Sequence, residues 1–209
     1  MNNIHKICHP LIEHKLSILR DIKTDPFQFR MLIDEITHLM VFEACRDLNL
    51  KDIEVTTPIT KTKAKKLDEK IMICPILRAA IGMLDGVYKL IPDASVGFLG
   101  FQRNEETLEA EFYFAKLSQD ANTRTAIVID PMFATGSTAI TAVEYLQKIG
   151  VKKIKFISII SAPQGLEKFS KKFPEIPVFV AKIDETLNEN GYIVPGLGDA
   201  GDRIFNTIK

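Results

Sequence analysis

The chain has no net charge, no long apolar run and no clustered metal-ligand residues, and each absence removes a class of function. Its 27 lysines and arginines balance 27 aspartates and glutamates, and it has no arginine-rich stripe. No nucleic-acid partner is therefore expected, and an RNA-binding regulator, which needs a basic face, is disfavoured. No stretch approaches the roughly 20 apolar residues that span a bilayer, so no membrane partner is expected. Residues Met1 to Lys15 hold no apolar signal-peptide core, which predicts a cytoplasmic protein. Cys8, Cys45 and Cys74 are odd in number and widely spaced; they match no zinc or redox motif and read as buried thiols. His5, His9, His14 and His38 lack ligand spacing, so surface or capping roles are expected and metal ligation is not. There is no repeat and no low-complexity segment. Neither G-x-x-x-x-G-K-[ST] nor G-x-G-x-x-G occurs, which sets aside a Walker-type loop and a dinucleotide fingerprint.

What is present is an ordinary globular composition, 46% hydrophobic and 26% charged over 209 residues, enough for one sizeable domain spanning residues 1–209. Thr24 or Asp25 caps a helix with Pro26 in its first turn, and Phe27, Met31, Ile36, Leu39 and Met40 carry it to about Leu48. Residues 53–59 alternate like an edge strand, and Lys61, Lys63, Lys65 and Lys66 read as a solvated loop face. From Lys70 onward the pattern becomes strand, loop, helix. Strands are predicted over 71–74, 95–101, 125–130, 154–160 and 178–183, with helices over 79–91, 139–149 and 163–173. Continuous apolar strands alternating with helices predict an α/β fold with a mostly parallel sheet covered on both faces. Residues 104–121 suggest a protruding hairpin or lid. The glycine-rich tail 191–203 is not expected to form regular structure.

The most informative segment is Ala126-Ile127-Val128-Ile129-Asp130-Pro131-Met132-Phe133-Ala134-Thr135-Gly136-Ser137-Thr138. A buried strand ends in an acid, passes through a loop of small and hydroxyl residues, and enters a helix. Backbone N–H groups and the helix dipole make such a loop a phosphate site. An acid five residues before Thr135 suits a phosphorylated sugar, the carboxylate taking hydroxyls and the amides taking phosphate. Arg78 and Arg103 fall at two strand ends, where a guanidinium offers a planar fork to a second phosphate group. In the tail, glycines would let the backbone approach a planar ring while Ile193, Val194, Pro195 and Leu197 seek burial.

The phosphate loop alone indicates the wider phosphoribosyltransferase class. Joined to His9-Pro10-Leu11-Ile12-Glu13-His14-Lys15-Leu16, Pro75-Ile76-Leu77-Arg78-Ala79, Arg103-Asn104-Glu105-Glu106-Thr107-Leu108-Glu109 and the tail Gly191 to Arg203, it resembles the uracil phosphoribosyltransferase family over nearly the whole chain. The resemblance implies the type I phosphoribosyltransferase fold, with a protruding hairpin or lid and a C-terminal hood over the base site. It implies transfer of phosphoribosyl from 5-phosphoribosyl 1-diphosphate (PRPP) to uracil, giving UMP and diphosphate, with Mg²⁺ in support. By the same resemblance Arg78 and Arg103 hold the diphosphate and Asp130 faces the ribose hydroxyls. The loop Pro131, Met132, Phe133, Ala134, Thr135, Gly136, Ser137 and Thr138 cradles the 5-phosphate. Ile193, Gly198, Asp199 and Ala200 face uracil, with Asp199 also near PRPP and its metal. A homodimer or higher oligomer and GTP as an effector are further implications.

The sequence departs from the usual family pattern at Ser137, where a second glycine is common, and at Ala80, where glycine is common. Ser137 is expected to take an ordinary negative φ and to add a phosphate donor. A turn requiring positive φ at Ala80 would be strained. Pro131 replaces the second acid of other phosphoribosyltransferases, favouring uracil over a purine base.

Overall fold

The computed structural model describes residues 2–103 and 110–207, with backbone alone for Arg103 and Ala110. Residues 104–109, the first part of the predicted hairpin or lid, lie outside the described residues. Strand β1 (Ile4–Lys6) leads into helices α1 (Pro10–Arg20) and α2 (Pro26–Ala44). Asp25 caps α2, its carboxylate accepting from the Gln28 N–H at 2.8 Å, and Pro26 occupies the first turn. The helix stops at Ala44, short of Leu48. Strands β2 (Leu50–Thr56) and β3 (Lys61–Leu67) follow, then β4 (Ile71–Leu77). Next come a 3-10 turn (Ala79–Met83) and a short helix α3 (Leu84–Tyr88) where one helix over 79–91 was expected.

The rest of the chain runs β5 (Ser95–Val96), β6 (Phe98–Arg103), β7 (Ala110–Lys116), β8 (Thr125–Phe133), α4 (Ser137–Lys148), β9 (Lys153–Ser161), α5 (Pro163–Lys172) and β10 (Val178–Ile183). It closes with β11 (Thr186–Leu187), β12 (Ile193–Val194) and α6 (Ala200–Phe205). The main sheet has the order β1-β10-β9-β8-β4-β6-β7, with β5 beside β4. All of its pairings are parallel except β6 with β7. The expected strand over 95–101 is therefore two strands that part at Gly97.

Alternation along the strands sorts the core into two layers. Ile71, Ile73, Ile127 and Ile129 face α1, α2 and α6, while Met72, Cys74, Ala126 and Val128 face α4 and α5. On α2, Phe29, Ile33, Ile36 and Met40 are fully buried, whereas Phe27, Met31 and Phe42 are exposed. Among the described residues no helix is long and apolar enough to cross a membrane. Cys74 is buried as expected, but Cys8 is exposed and Cys45 only half-buried.

One local expectation fails beside one that holds in part. The lysine cluster 61–66 is a strand, not a loop, while residues 53–56 of the expected edge strand lie in its partner β2, within a separate two-stranded sheet. Cross-strand pairs such as Lys65 with Asp52 (2.6 Å) and Lys61 with Glu54 (3.2 Å) offset the charge of this hairpin. A charge-rich strand with both faces exposed leaves no apolar alternation to read.

Candidate active site

Sequential strands wind in opposite directions from the β4–β8 boundary, β6 lying on one side and β9 and β10 on the other. Connections leaving the carboxyl ends of β4 and β8 therefore diverge and open a crevice. The crevice is a cleft of about 250 Å³. Arg78 and Ala79 line it after β4, Phe101 and Gln102 from β6, and Asp130, Met132, Ala134 and Thr138 from β8 and its loop. Tyr192, Ile193, Gly198, Asp199 and Ala200 close it from the C-terminal side.

Strand β8 continues past Asp130, so Pro131, Met132 and Phe133 belong to the strand and not to the loop. Its ladder to β4 ends where Pro75 opposes Ile129, so the missing N–H of Pro131 removes no bond on that side. Phe133 turns away from the cleft and packs edge-on against Phe156 and Phe169 at 5.1 and 5.5 Å. The loop proper is Ala134 to Gly136. Gly136 takes φ +77° at the N-cap of α4 and supplies no capping side chain; the Ser137 N–H donates to Thr135 Oγ1 at 3.4 Å, and no side chain caps the amides that follow. Ser137 then begins the helix with an ordinary φ, as expected. Ala80 is likewise unstrained: it sits buried in the 3-10 turn, and Asn206 is the non-glycine residue with positive φ among the described residues.

Gly165, which the sequence did not single out, holds this loop in place. A Cβ on Gly165 would stand 2.1 Å from the Ala134 carbonyl oxygen and 2.9 Å from the Gly136 nitrogen. Only a bare α-carbon lets α5 back the loop so closely. Gly165→Ala is expected to push loop and helix apart at a cost of about 1–3 kcal/mol, the usual range for overpacking. Urea denaturation measures it, and an unchanged midpoint would show that α5 withdraws freely.

Asp130 lies half-buried at the floor of the cleft. Burial pushes its carboxyl up from 3.8 to about 7, against the opposing hydrogen bond from the Met132 N–H. Arg78 is mostly exposed, 3.7 Å from the Asp202 carboxylate, with its guanidinium 5.9 Å from the Phe205 ring centre. The Leu77–Arg78 peptide is cis. Among the described residues no group of three acidic, histidine or cysteine side chains converges on a metal position.

The C-terminal segment is more ordered than its composition suggested. It holds β12, paired with β11, and α6, capped by the Asp199 carboxylate on the Asp202 N–H at 2.9 Å. Asp184, almost fully buried, accepts the Gly196 N–H at 2.9 Å and both arms of Arg20 at 2.6 and 2.8 Å. Arg20 also donates to the Gly196 carbonyl at 2.6 Å, and Arg203 donates to the Leu197 carbonyl at 2.8 Å. The brackets made by Arg20 were not visible in sequence because Asp184 and Gly196 lie 164 and 176 residues from it.

Of the residues singled out by sequence, Arg78, Asp130, Met132, Ala134, Thr138, Ile193, Gly198, Asp199 and Ala200 line one cleft. Pro131 is buried behind it, and Thr135, Gly136 and Ser137 form the adjoining turn. The side chain of Arg103 lies outside the described residues.

Against known proteins, residues 6–207 match the family profile described as uracil phosphoribosyltransferase. A protein of that name from Campylobacter jejuni is 71% identical over 208 residues, covering 100% of both chains. A solved structure from Aquifex aeolicus superposes with a TM-score of 0.93 at 40% identity, covering 97% of each chain. A hypoxanthine phosphoribosyltransferase from Staphylococcus aureus superposes with a TM-score of 0.53 at 14% identity, over 82% of this chain and 81% of that one, and shares the fold. The chain belongs to the uracil phosphoribosyltransferase family.

Proposed function

We infer that this chain transfers the 5-phosphoribosyl group of PRPP to uracil, giving UMP and diphosphate in pyrimidine salvage. The observation that supports it best is the shared cleft: Thr138 at the start of α4, the Asp130 carboxylate and the hood around Gly198 all border one cavity. The loop amides take the 5-phosphate, and Asp130 accepts the ribose hydroxyls. Arg78 holds the diphosphate, and the family resemblance adds Arg103 to that role. The C1–oxygen bond to diphosphate breaks as uracil N1 bonds to C1, and the N1 proton leaves to solvent. Catalysis on this reading is positioning and charge stabilisation, with no side-chain nucleophile.

Mg²⁺ fits the donor set. It is commonly held by one or two carboxylates together with substrate phosphates, not by a cage of protein ligands. Asp199, in the cleft with one carboxylate oxygen engaged in capping α6, would hold it with the diphosphate oxygens. The ion would neutralise charge on the leaving group. A homodimer or larger assembly belongs to the same reading, supported by the exposed Phe27, Met31 and Phe42, as does a GTP effector on the family resemblance. Incubation with PRPP, uracil and Mg²⁺ tests the assignment, and absence of UMP overturns it.

A pH dependence follows from Asp130. Its ionised form accepts the hydroxyls, yet burial holds its pKa near 7. Below that value protons compete with PRPP, so KM for PRPP is expected to rise about tenfold per pH unit. In Asp130→Asn this part of the slope should vanish. The same shift makes the fold less stable as pH rises from 3.8 through about 7, because the folded state holds the proton more tightly than the unfolded one. Initial rates at varied PRPP between pH 6 and 8.5 measure the slope, and parallel curves for the two proteins would remove Asp130 from the ribose.

A further inference from the structure

We propose that Lys168, on the helix behind the phosphate loop, is a binding residue for the 5-phosphate, acting with Ser137. The proposal rests on the phosphoribosyl-transfer reading and adds a residue to its phosphate site. The loop 134–138 contains no cation of its own, so a dianion there meets only amides, hydroxyls and the helix dipole. The missing charge comes from α5. The close fit of Gly165 beneath Gly136 holds the first turn of α5 flush with the loop. Lys168 follows Gly165 by three residues and so lies on the same helix face. Its ammonium is exposed and donates to Ser137 Oγ at 3.3 Å. Neighbouring Lys171 and Lys172 are taken up by Glu167 and Glu144. Among the described residues Lys168 has no carboxylate within ion-pair distance.

Ser137 explains why the lysine is directed here. Its Oγ accepts from Lys168 and, at 3.3 Å, from Thr135 Oγ1. A hydroxyl has two acceptor sites and one donor; with both acceptors engaged, the O–H remains for the phosphate. Lys168 thus polarises a hydroxyl donor and sets a mobile positive charge at the rim of the loop. Any residue without a side-chain oxygen at position 137 would leave the lysine without this anchor.

Lys168→Met and Lys168→Arg test the proposal. In Lys168→Met, KM for PRPP should rise about five- to tenfold, the range of a charge-assisted contact that is partly exposed. KM for uracil and kcat should stay within about twofold, since the 5-phosphate is remote from the bond that breaks. Ribose 5-phosphate, measured by calorimetry, should weaken by the same factor as PRPP, while inorganic diphosphate should bind unchanged. Lys168→Arg should restore most of the affinity. Wild-type binding of ribose 5-phosphate should also fall more steeply with salt than binding to Lys168→Met. Unchanged ribose 5-phosphate binding, equal weakening of diphosphate, or failure of arginine to restore affinity would overturn the proposal. Because the calorimetric arm needs no turnover, it reads Lys168 separately from the reaction: a wild-type protein that binds ribose 5-phosphate but makes no UMP would count against the assigned reaction alone.

Discussion

Cytosine is expected to react on the order of 10⁴-fold less efficiently than uracil in kcat/KM, because the hood presents fixed backbone groups that cannot adapt to it. Uracil offers acceptor, donor, acceptor along its O4, N3 and O2 edge; cytosine offers an amino donor and a bare nitrogen in the first two places. In the hood, the Gly196 N–H and C=O and the Leu197 C=O are already engaged by Asp184, Arg20 and Arg203. Among the described residues the amides of Gly198 and Ala200 have no protein partner, so they are among the donors left to meet a base. A backbone N–H cannot reverse its polarity as a rotating hydroxyl or amide side chain would. Gly196, at φ +63° and with its would-be Cβ 2.1 Å from the Ile193 carbonyl, leaves the segment little room to shift. Cytosine would leave donors of the hood unpaired, and each such group costs about 1–3 kcal/mol where it is buried. Rates with both bases at saturating PRPP measure the ratio, and comparable rates would mean that the hood does not read this edge.

Legibility in the sequence followed how local the cause was. Strand 125–130 and the helix opened by Pro163 were readable because apolar runs and capping residues act over a few positions. The cleft itself was half readable. Asp130 and Gly136 announce themselves as an acid at a strand end and a glycine before a helix, and type I topology brings the tail to them. Gly165 and Lys168 were not readable, since a glycine in a first helical turn and an exposed lysine have no local signature; their meaning comes from the loop packed across from them. The tail misled for the opposite reason. Four glycines between 191 and 201 suggested irregular chain, yet Asp199 capping the Asp202 N–H starts a helix. Its last turn is tied back by Arg30, which donates to the Ile204 carbonyl at 2.8 Å. The segment 79–91 is a 3-10 turn and a short helix instead of one helix, and the closeness of that helix to α2 was equally hidden: a Cβ on Gly86 would lie 2.5 Å from the Asp34 carbonyl oxygen.

Removing the arginine at the end of α1 is expected to damage the protein most. Arg20 meets Asp184 through both guanidinium arms, and the Asp184 side chain is only 2% exposed. Arg20→Met would strand that carboxylate with the Gly196 N–H as its remaining protein donor. Breaking a buried pair from one side costs about 3–5 kcal/mol, which for a domain of this length lowers the melting temperature by roughly 10 °C. Arg20→Lys should recover only part of the loss, because an ammonium cannot bridge both carboxylate oxygens and the Gly196 carbonyl in one plane. The double variant Arg20→Met with Asp184→Leu separates stability from function. With no stranded charge, much of the melting temperature should return, since apolar replacement of a buried pair is often neutral. The hood would still have lost both brackets on Gly196, so kcat/KM for uracil should remain depressed. Full recovery of activity in the double variant would show that the pair serves the fold alone and that the hood finds its position without it.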